Sequence, residues 1–229
     1  MIKEPKILTM CERRYILPMK NKFNLLLYLI ILILITVSYA DQLYSVKVVF
    51  DGDTIMLSNR KHVRYIGIDS PEMNYKKGNA SPFGFEAKKT NEKLLSGKAI
   101  RIEYDIQKKD HYGRILAYVY TADGIFLNNE MIKKGYAWNL FKGPNTKYSK
   151  VFLTSQHYAM SNKLGIWNNW QEKDGVKYLG NIKSKKFHHM DCTFGKQIAY
   201  ANRIIFQKKW DAFYAGFSPC RRCILKQNG

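Results

Sequence analysis

The sequence predicts an α+β, mainly β fold: a small five-stranded barrel carrying three helices, followed by a separate cysteine-bearing module. Three observations predict it. Short runs rich in β-branched and aromatic residues are punctuated by turn residues at Asp51-Gly52, Ser70-Pro71 and Gly97. Helical segments fall between and after the strands, an order that suits a closed barrel better than a sandwich or a doubly wound sheet. Cysteine is absent from a long stretch after Cys11, then returns as Cys192, Cys220 and Cys223, which divides the chain into two modules.

Residues 44–50 place Val46, Val48 and Phe50 on one strand face, Asp51-Gly52 turns the chain, and residues 54–57 return as a hairpin partner. A third strand over 63–68 stops at Ser70-Pro71, because the residue before proline is forced to be extended and proline has no donor. Residues 82–95 read as a helix with Pro82 in its first turn and Gly97 closing it. Strands follow over 99–104 and 115–121. Asn128 or Asn129 caps a short helix that Gly135 ends, and a third helix spans 148–164. The first module covers 41–170, a polar linker 171–177, and the second module 178–229.

The N-terminus has its own logic. Lys20 and Lys22 precede an apolar run over 25–37, and Ser38-Tyr39-Ala40 puts small residues before Asp41. This is the layout of a signal peptide over 1–40, with translation beginning at Met19, and it implies a secreted or periplasmic protein. The alternative is an uncleaved anchor holding the protein to a membrane through residues 23–39, although the run is short of the ~20 residues a span needs. Removing 1–40 takes away six cations and two anions, so the formal charge of +20 falls only to +16. The exported part is therefore strongly basic, as a partner of nucleic acid or an anionic surface would be. Charge alone does not distinguish that from a merely basic protein.

Four segments carry chemistry. Asp51-Gly52-Asp53-Thr54 taken singly is a hairpin turn. Asp69-Ser70-Pro71-Glu72 taken singly is a helix start, except that no apolar helical period follows. Arg64 is a lone strand arginine, and Asp110-His111-Tyr112-Gly113-Arg114 a polar loop. Together they supply what phosphodiester hydrolysis requires. Carboxylates hold a hard cation, a further carboxylate orients water, and guanidinium forks match phosphate oxygens.

Over residues 44–167 the chain resembles the staphylococcal nuclease (thermonuclease) family. The resemblance rests on Val49-Phe50-Asp51-Gly52-Asp53-Thr54, on Val63-Arg64-Tyr65-Ile66-Gly67-Ile68-Asp69-Ser70-Pro71-Glu72, and on Asp110-His111-Tyr112-Gly113-Arg114-Ile115-Leu116-Ala117-Tyr118. A weaker run over 128–135 and Leu164-Gly165-Ile166-Trp167 follow in the same order. The resemblance implies an OB-fold barrel and a Ca2+-dependent phosphodiesterase acting on DNA and RNA, leaving 3′-phosphate ends. By position it implies Asp53, Asp69 and the Ser70 carbonyl as metal ligands, and Glu72 as the group that orients or deprotonates water. It likewise implies Arg64 and Arg114 on the phosphate and Tyr112 beside the nucleotide. The family has threonine at the position of Ser70, a change a carbonyl ligand tolerates. The loop over 138–147 departs from the family pattern, so no base contact is carried over there.

In the second module, His188-x3-Cys192 and Cys220-x2-Cys223 are two close pairs separated by 27 residues. Two such pairs supply the four nitrogen or sulfur ligands of a Zn2+ site. A disulfide is the competing reading in an exported protein, and His189 competes with His188. Three cysteines cannot all pair within the chain. This module resembles the metal-binding module of Ada-type DNA repair proteins, through Ser184-Lys185-Lys186-Phe187-His188, Cys192, and Ala215-Gly216-Phe217-Ser218-Pro219-Cys220-Arg221-Arg222-Cys223. Those proteins have an alkyl-accepting cysteine where this chain has His188, so the resemblance implies a structural zinc on a basic module and not alkyl transfer. The sequence-level expectation is a monomeric nuclease whose substrate is DNA or RNA, with no protein partner. The competing reading is a non-catalytic nucleic-acid-binding OB-fold protein of the cell envelope.

Overall fold

The computed structural model describes residues 24, 26–30, 42–74 and 78–225. It divides into two units, Met1–Asp41 and Gln42–Gly229. In the first, residues 24 and 26–30 are helical and exposed. The rest of the expected leader, with Met19 and the cleavage position at Ala40, lies outside the described residues. Among the described residues no helix is long and apolar enough to cross a membrane.

The second unit begins with β1 (Leu43–Tyr44), β2 (Val46–Val49), β3 (Thr54–Leu57), β4 (His62–Tyr65) and β5 (Ile68–Asp69). Then come β6 (Met73–Asn74), β7 (Asn79–Ala80), α1 (Gly84–Leu95), β8 (Ile100–Glu103) and β9 (Ile115–Thr121). After them are α2 (Leu127–Lys133), β10 (Trp138–Asn139) and α3 (Ser149–Ser161). Where the sequence predicts a five-stranded barrel, the strands form a six-stranded sheet in the order β1-β8-β9-β4-β3-β2, the first expected strand being split in two. Ser45 is the reason: it interrupts the first strand, so Leu43 pairs with Arg101 while Val46 pairs with Leu57. The two outer strands of the sheet are thus consecutive in the chain. Strand alternation places Ile55, Leu57, Val63, Ile100, Ala117 and Val119 inside, covered by Leu127, Met131 and Ile132 of α2 and Phe152 of α3. Each fully buried aliphatic or aromatic side chain contributes about 1.5–3 kcal/mol.

The three expected helices are present, with corrected ends. Helix α1 starts at Gly84 behind a left-handed Phe83 (φ 65°), leaving Pro82 outside its first turn. Helix α2 starts behind Phe126, so neither Asn128 nor Asn129 is its cap. Asn128 is instead fully buried: it accepts from the Val119 amide (2.9 Å) and donates to the Ile66 carbonyl (2.8 Å). A buried amide that satisfies two strands is worth more there than at a helix end. The strand expected over 63–68 breaks at Ile66-Gly67. Gly67 takes φ +77°, where a Cβ would meet the Phe152 ring, and the chain leaves β4 to pair β5 with β10 through Asp69 and Trp138.

Downstream lie β11 (Tyr178–Asn181), β12 (Lys186–His189), α4 (Thr193–Lys196), β13 (Arg203–Phe206), α5 (Lys209–Tyr214), β14 (Ser218–Pro219) and a π-helical turn over Arg221–Leu225. The strands order as β13-β11-β12-β14, with β12 and β14 parallel. This region does not build a core alone. Tyr178, Phe187, Phe213 and Phe217 share one cluster with Trp138, Ala159, Met160 and Trp167 of the preceding region. The polar stretch 171–177 is tied into it, since Glu172 accepts from the Trp170 indole (2.7 Å) and the Trp210 amide (2.8 Å).

Candidate active site and metal centre

Two turns and one strand assemble the acidic cluster. Asp51 Oδ1 accepts from the Asp53 amide (2.9 Å), which closes the turn between β2 and β3. Helix α1 fixes that turn from behind: Asn91, fully buried, donates to the Asp51 carbonyl (3.1 Å) and accepts from Tyr65 Oη (3.1 Å). Gly52 is required by space, because a Cβ there would lie 2.8 Å from Ser70 Cβ. The turn therefore lies directly against the segment that carries Asp69 and Ser70.

Asp53, Arg64, Asp69 and Ser70 are all buried. Arg64 joins the two acids, with Nη1 2.7 Å from Asp53 Oδ1 and Nη2 2.6 Å from Asp69 Oδ1. Asp53 Oδ2 accepts from the Ser70 amide (2.7 Å), and Thr54 Oγ1 donates to Asp53 Oδ1 (3.0 Å). Burial opposes the charge on Arg64, but Asp53 and Asp69 outweigh it and raise its pKa. Glu72 is about half exposed at the rim, and Arg221 reaches it from the C-terminal region: Arg221 Nη2 is 3.1 Å from Glu72 Oε1 and 2.6 Å from Asp69 Oδ1. Partial burial raises the Glu72 pKa, against the pull of Arg221.

Four carboxyl groups thus stand against two guanidiniums. The imbalance is visible at Asp51, whose carboxyl is pushed up to about 8 by burial and by the charge of Asp53. Oxygen donors, a surplus of negative charge and a buried Ser70 Oγ that finds no hydrogen-bond partner among the described residues fit a hard divalent cation.

Among the described residues, Arg114 and Tyr112 make no hydrogen bond or ion pair with this cluster. The Arg114 Nε pairs with Asp110 Oδ2 (2.7 Å), and its guanidinium lies 5.6 Å from the exposed Tyr112 ring. Both line a cleft of about 610 Å³ that also takes in Arg60, Lys61, Lys108 and Tyr104. Parallel pairing of β4 with β9 (Val63 to Ile115, Arg64 to Leu116) sets this cleft alongside the strand that carries Arg64. Cations interleaved with aromatic faces suit a single nucleic-acid strand.

The second cluster is soft. The ligand atoms of His188, Cys192, Cys220 and Cys223 lie within 4.8 Å of one another, and Cys192 Sγ is 3.5 Å from His188 Nδ1. The three cysteines of this cluster are free. Strand β12 supplies His188, the start of α4 follows Cys192, and the π-helical turn lies between Cys220 and Leu225. Burial and Lys186 lower the His188 pKa, the direction that favours the neutral imidazole a metal ligand needs. Burial opposes ionisation of Cys192, but the Gly195 and Phe194 amides and the other two thiols outweigh it and lower its pKa. Burial pushes the Cys223 thiol up to about 12. One nitrogen and three sulfurs at this spacing fit a tetrahedral Zn2+-type ion.

Sequence reasoning did not single out Asp51, Asn91 or Arg221 for the acidic cluster. Asp51 was legible as a turn residue and Arg221 as one basic residue among many. Only tertiary packing gives either a place in the site.

Residues 62–169 match the family described as staphylococcal nuclease homologue. The thermonuclease of Staphylococcus hyicus is 38% identical over 132 residues, 56% of this chain and 78% of that protein. The thermonuclease of Staphylococcus intermedius is 39% identical over 127 residues, 54% of this chain and 75% of that protein. The SPbeta prophage-derived endonuclease YokF of Bacillus subtilis (strain 168) is 38% identical over 154 residues, 65% of this chain and 52% of the relative. With the sheet, the paired acids and these relatives in agreement, the chain belongs to the staphylococcal nuclease family and is a nuclease, a hydrolase of phosphodiester bonds.

Proposed function

We propose that the protein is an exported, Ca2+-dependent nuclease that hydrolyses DNA and RNA and leaves 3′-phosphate ends. On this reading residues 41–170 are the catalytic region and residues 178–229 a metal-bearing module. Asp53, Asp69 and the Ser70 carbonyl hold the cation. A cation so held neutralises phosphate charge and lowers the pKa of water bound to it.

The chain's own groups do the rest. Glu72, at the solvent-facing rim, orients the attacking water or takes its proton. Arg64 keeps the two buried acids side by side, and Arg114 meets the phosphate from the adjoining cleft. Tyr112 and the basic cleft receive the strand, with Tyr112 offering a ring on which a base can stack. The observation that carries the reading is the pair of buried carboxylates, Asp53 and Asp69, bridged by one guanidinium, with Glu72 at their edge. Export is supported by the leader pattern over 20–40. Zn2+ at His188, Cys192, Cys220 and Cys223 is the second metal of this reading, and its role is structural.

The test is an assay of the purified protein on single- and double-stranded DNA and RNA with Ca2+, Mg2+ and Mn2+ in turn, with product ends identified. Calcium-supported scission to 3′-phosphates is expected, and Glu72→Gln lowers turnover about 10² to 10³-fold with the fold intact. Tight binding without scission under every ion returns the chain to the non-catalytic reading.

A further inference from the structure

The C-terminal region touches the acidic cluster through one residue, and that residue sits inside a metal-binding loop. Arg221 lies between Cys220 and Cys223, two of the four grouped ligands. Its Nη2 reaches both Asp69 and Glu72. Its neighbour Arg222 turns the other way, with its guanidinium 4.4 Å from the Phe194 ring. The backbone that aims Arg221 is therefore the backbone that the four ligands fix.

Arg64 and Arg221 differ in what their donors have left. Arg64 is buried, and both of its terminal nitrogens are engaged: Nη1 with Asp53 and the Tyr65 carbonyl, Nη2 with Asp69. The side chain of Arg221 is 56% exposed, and its contacts with the acids run through Nη2. Its partner Glu72 is likewise about half exposed, so the pair is open to solvent. A half-exposed planar guanidinium is suited to bidentate phosphate contact. Lys186 of β12 is turned instead to Ser218, donating to its Oγ (3.4 Å), so Arg221 is the residue of this region that meets the acids.

We propose that Arg221 is a phosphate-binding residue of the nuclease site, delivered by the His188/Cys192/Cys220/Cys223 metal centre. The C-terminal module then completes the active site of the catalytic region. This rests on the assignment of the acidic cluster as the nuclease site and of the second cluster as a zinc site.

The full chain carries the test, with two readouts. In steady-state hydrolysis, Arg221→Ala lowers kcat/KM about tenfold or more, and Arg221→Lys recovers part of the loss. In binding of a labelled single-stranded DNA oligomer to Glu72→Gln protein, adding Arg221→Ala reduces the slope of log affinity against log salt by about 0.7, one lost phosphate contact. Lys98→Ala, which removes the same charge from the exposed pair with Asp123, leaves rate and slope unchanged. Cys223→Ser lowers zinc content and kcat/KM together, and costs nothing further in an Arg221→Ala background. Cys223→His, which restores a ligand, keeps both zinc and rate.

An Arg221→Ala protein with the wild-type salt slope overturns the proposal, as does one that turns over faster, since that makes Arg221 a plug. Equal losses from Cys223→Ser with and without Arg221 overturn the delivery role. The underlying readings fail differently: an active Arg64→Ala protein removes the nuclease-site assignment, and wild-type protein without zinc removes the metal centre.

Discussion

The molecule holds two clusters fit for metal, and they are built on opposite principles. The acidic cluster is all oxygen, drawn from a hairpin turn and a strand end, and held together by arginine: Asp53 and Asp69 are buried because Arg64 lies between them. The soft cluster has no guanidinium bridging its ligands among the described residues. It relies on a lowered His188 pKa and on thiols that burial and hydrogen bonds shift in opposite directions. In the first, protein cations keep like charges together whatever ion binds. In the second, cohesion must come from the ligand bonds themselves. A catalytic cation that exchanges and a structural one that stays would call for this difference.

The comparison can be broken at either end. The largest effect is expected from Cys220→Ser. Zinc per chain, measured by elemental analysis, falls from one to none, and the protein loses part of a metal-binding free energy that reaches about 10–16 kcal/mol in zinc-finger peptides. Thermal melts with and without added zinc read the loss, and an unchanged melt would mean that packing alone holds the region. Arg64→Ala comes next. It leaves two buried carboxylates without their bridge, so urea denaturation loses about 3–5 kcal/mol while zinc content stays at one. A full complement of stability would show that the acids do not depend on arginine.

Gly52→Val sharpens the acidic side further. Its side chain must displace Ser70, costing about 1–3 kcal/mol, and activity falls more than stability because the two acid-bearing segments separate. Activity equal to wild type would show that their spacing is not critical. The smallest effect on activity is expected from Asn128→Ala, which removes a buried amide joining β9 to Ile66 and costs about 1–3 kcal/mol of stability. Turnover stays within about twofold of wild type, because among the described residues none of the hydrogen bonds of Asn128 is to an acid or to a cysteine-cluster residue.

Much of this was legible in the sequence, and what was not shares a cause. The strands announced themselves by alternation and turn residues, and the helices by their breakers. The acids were legible because Asp53, Asp69 and Glu72 sit at the ends of strands, where side chains meet across a turn. Ser45 was not legible as a strand break, because nothing local distinguishes it from any other residue of a short strand. Asn128 read as a cap because asparagine favours caps, and the buried amides of β9 overruled that preference. Arg221 is the extreme case. It stands 152 positions from Asp69, in a run of basic residues that looks like a solvated face.

The aromatic cluster shared by Trp138, Trp167, Tyr178 and Phe213 has one more consequence. Gln156 of α3 spans the same junction, accepting from the Asn139 amide and donating to the Phe213 carbonyl. Shortening the chain after residue 177 would thus bare two indoles and strand a buried amide, rather than release an independent enzyme. Heat or denaturant should melt both regions in a single cooperative step, and any change that loosens the C-terminal region will be felt as a loss of stability in the catalytic one.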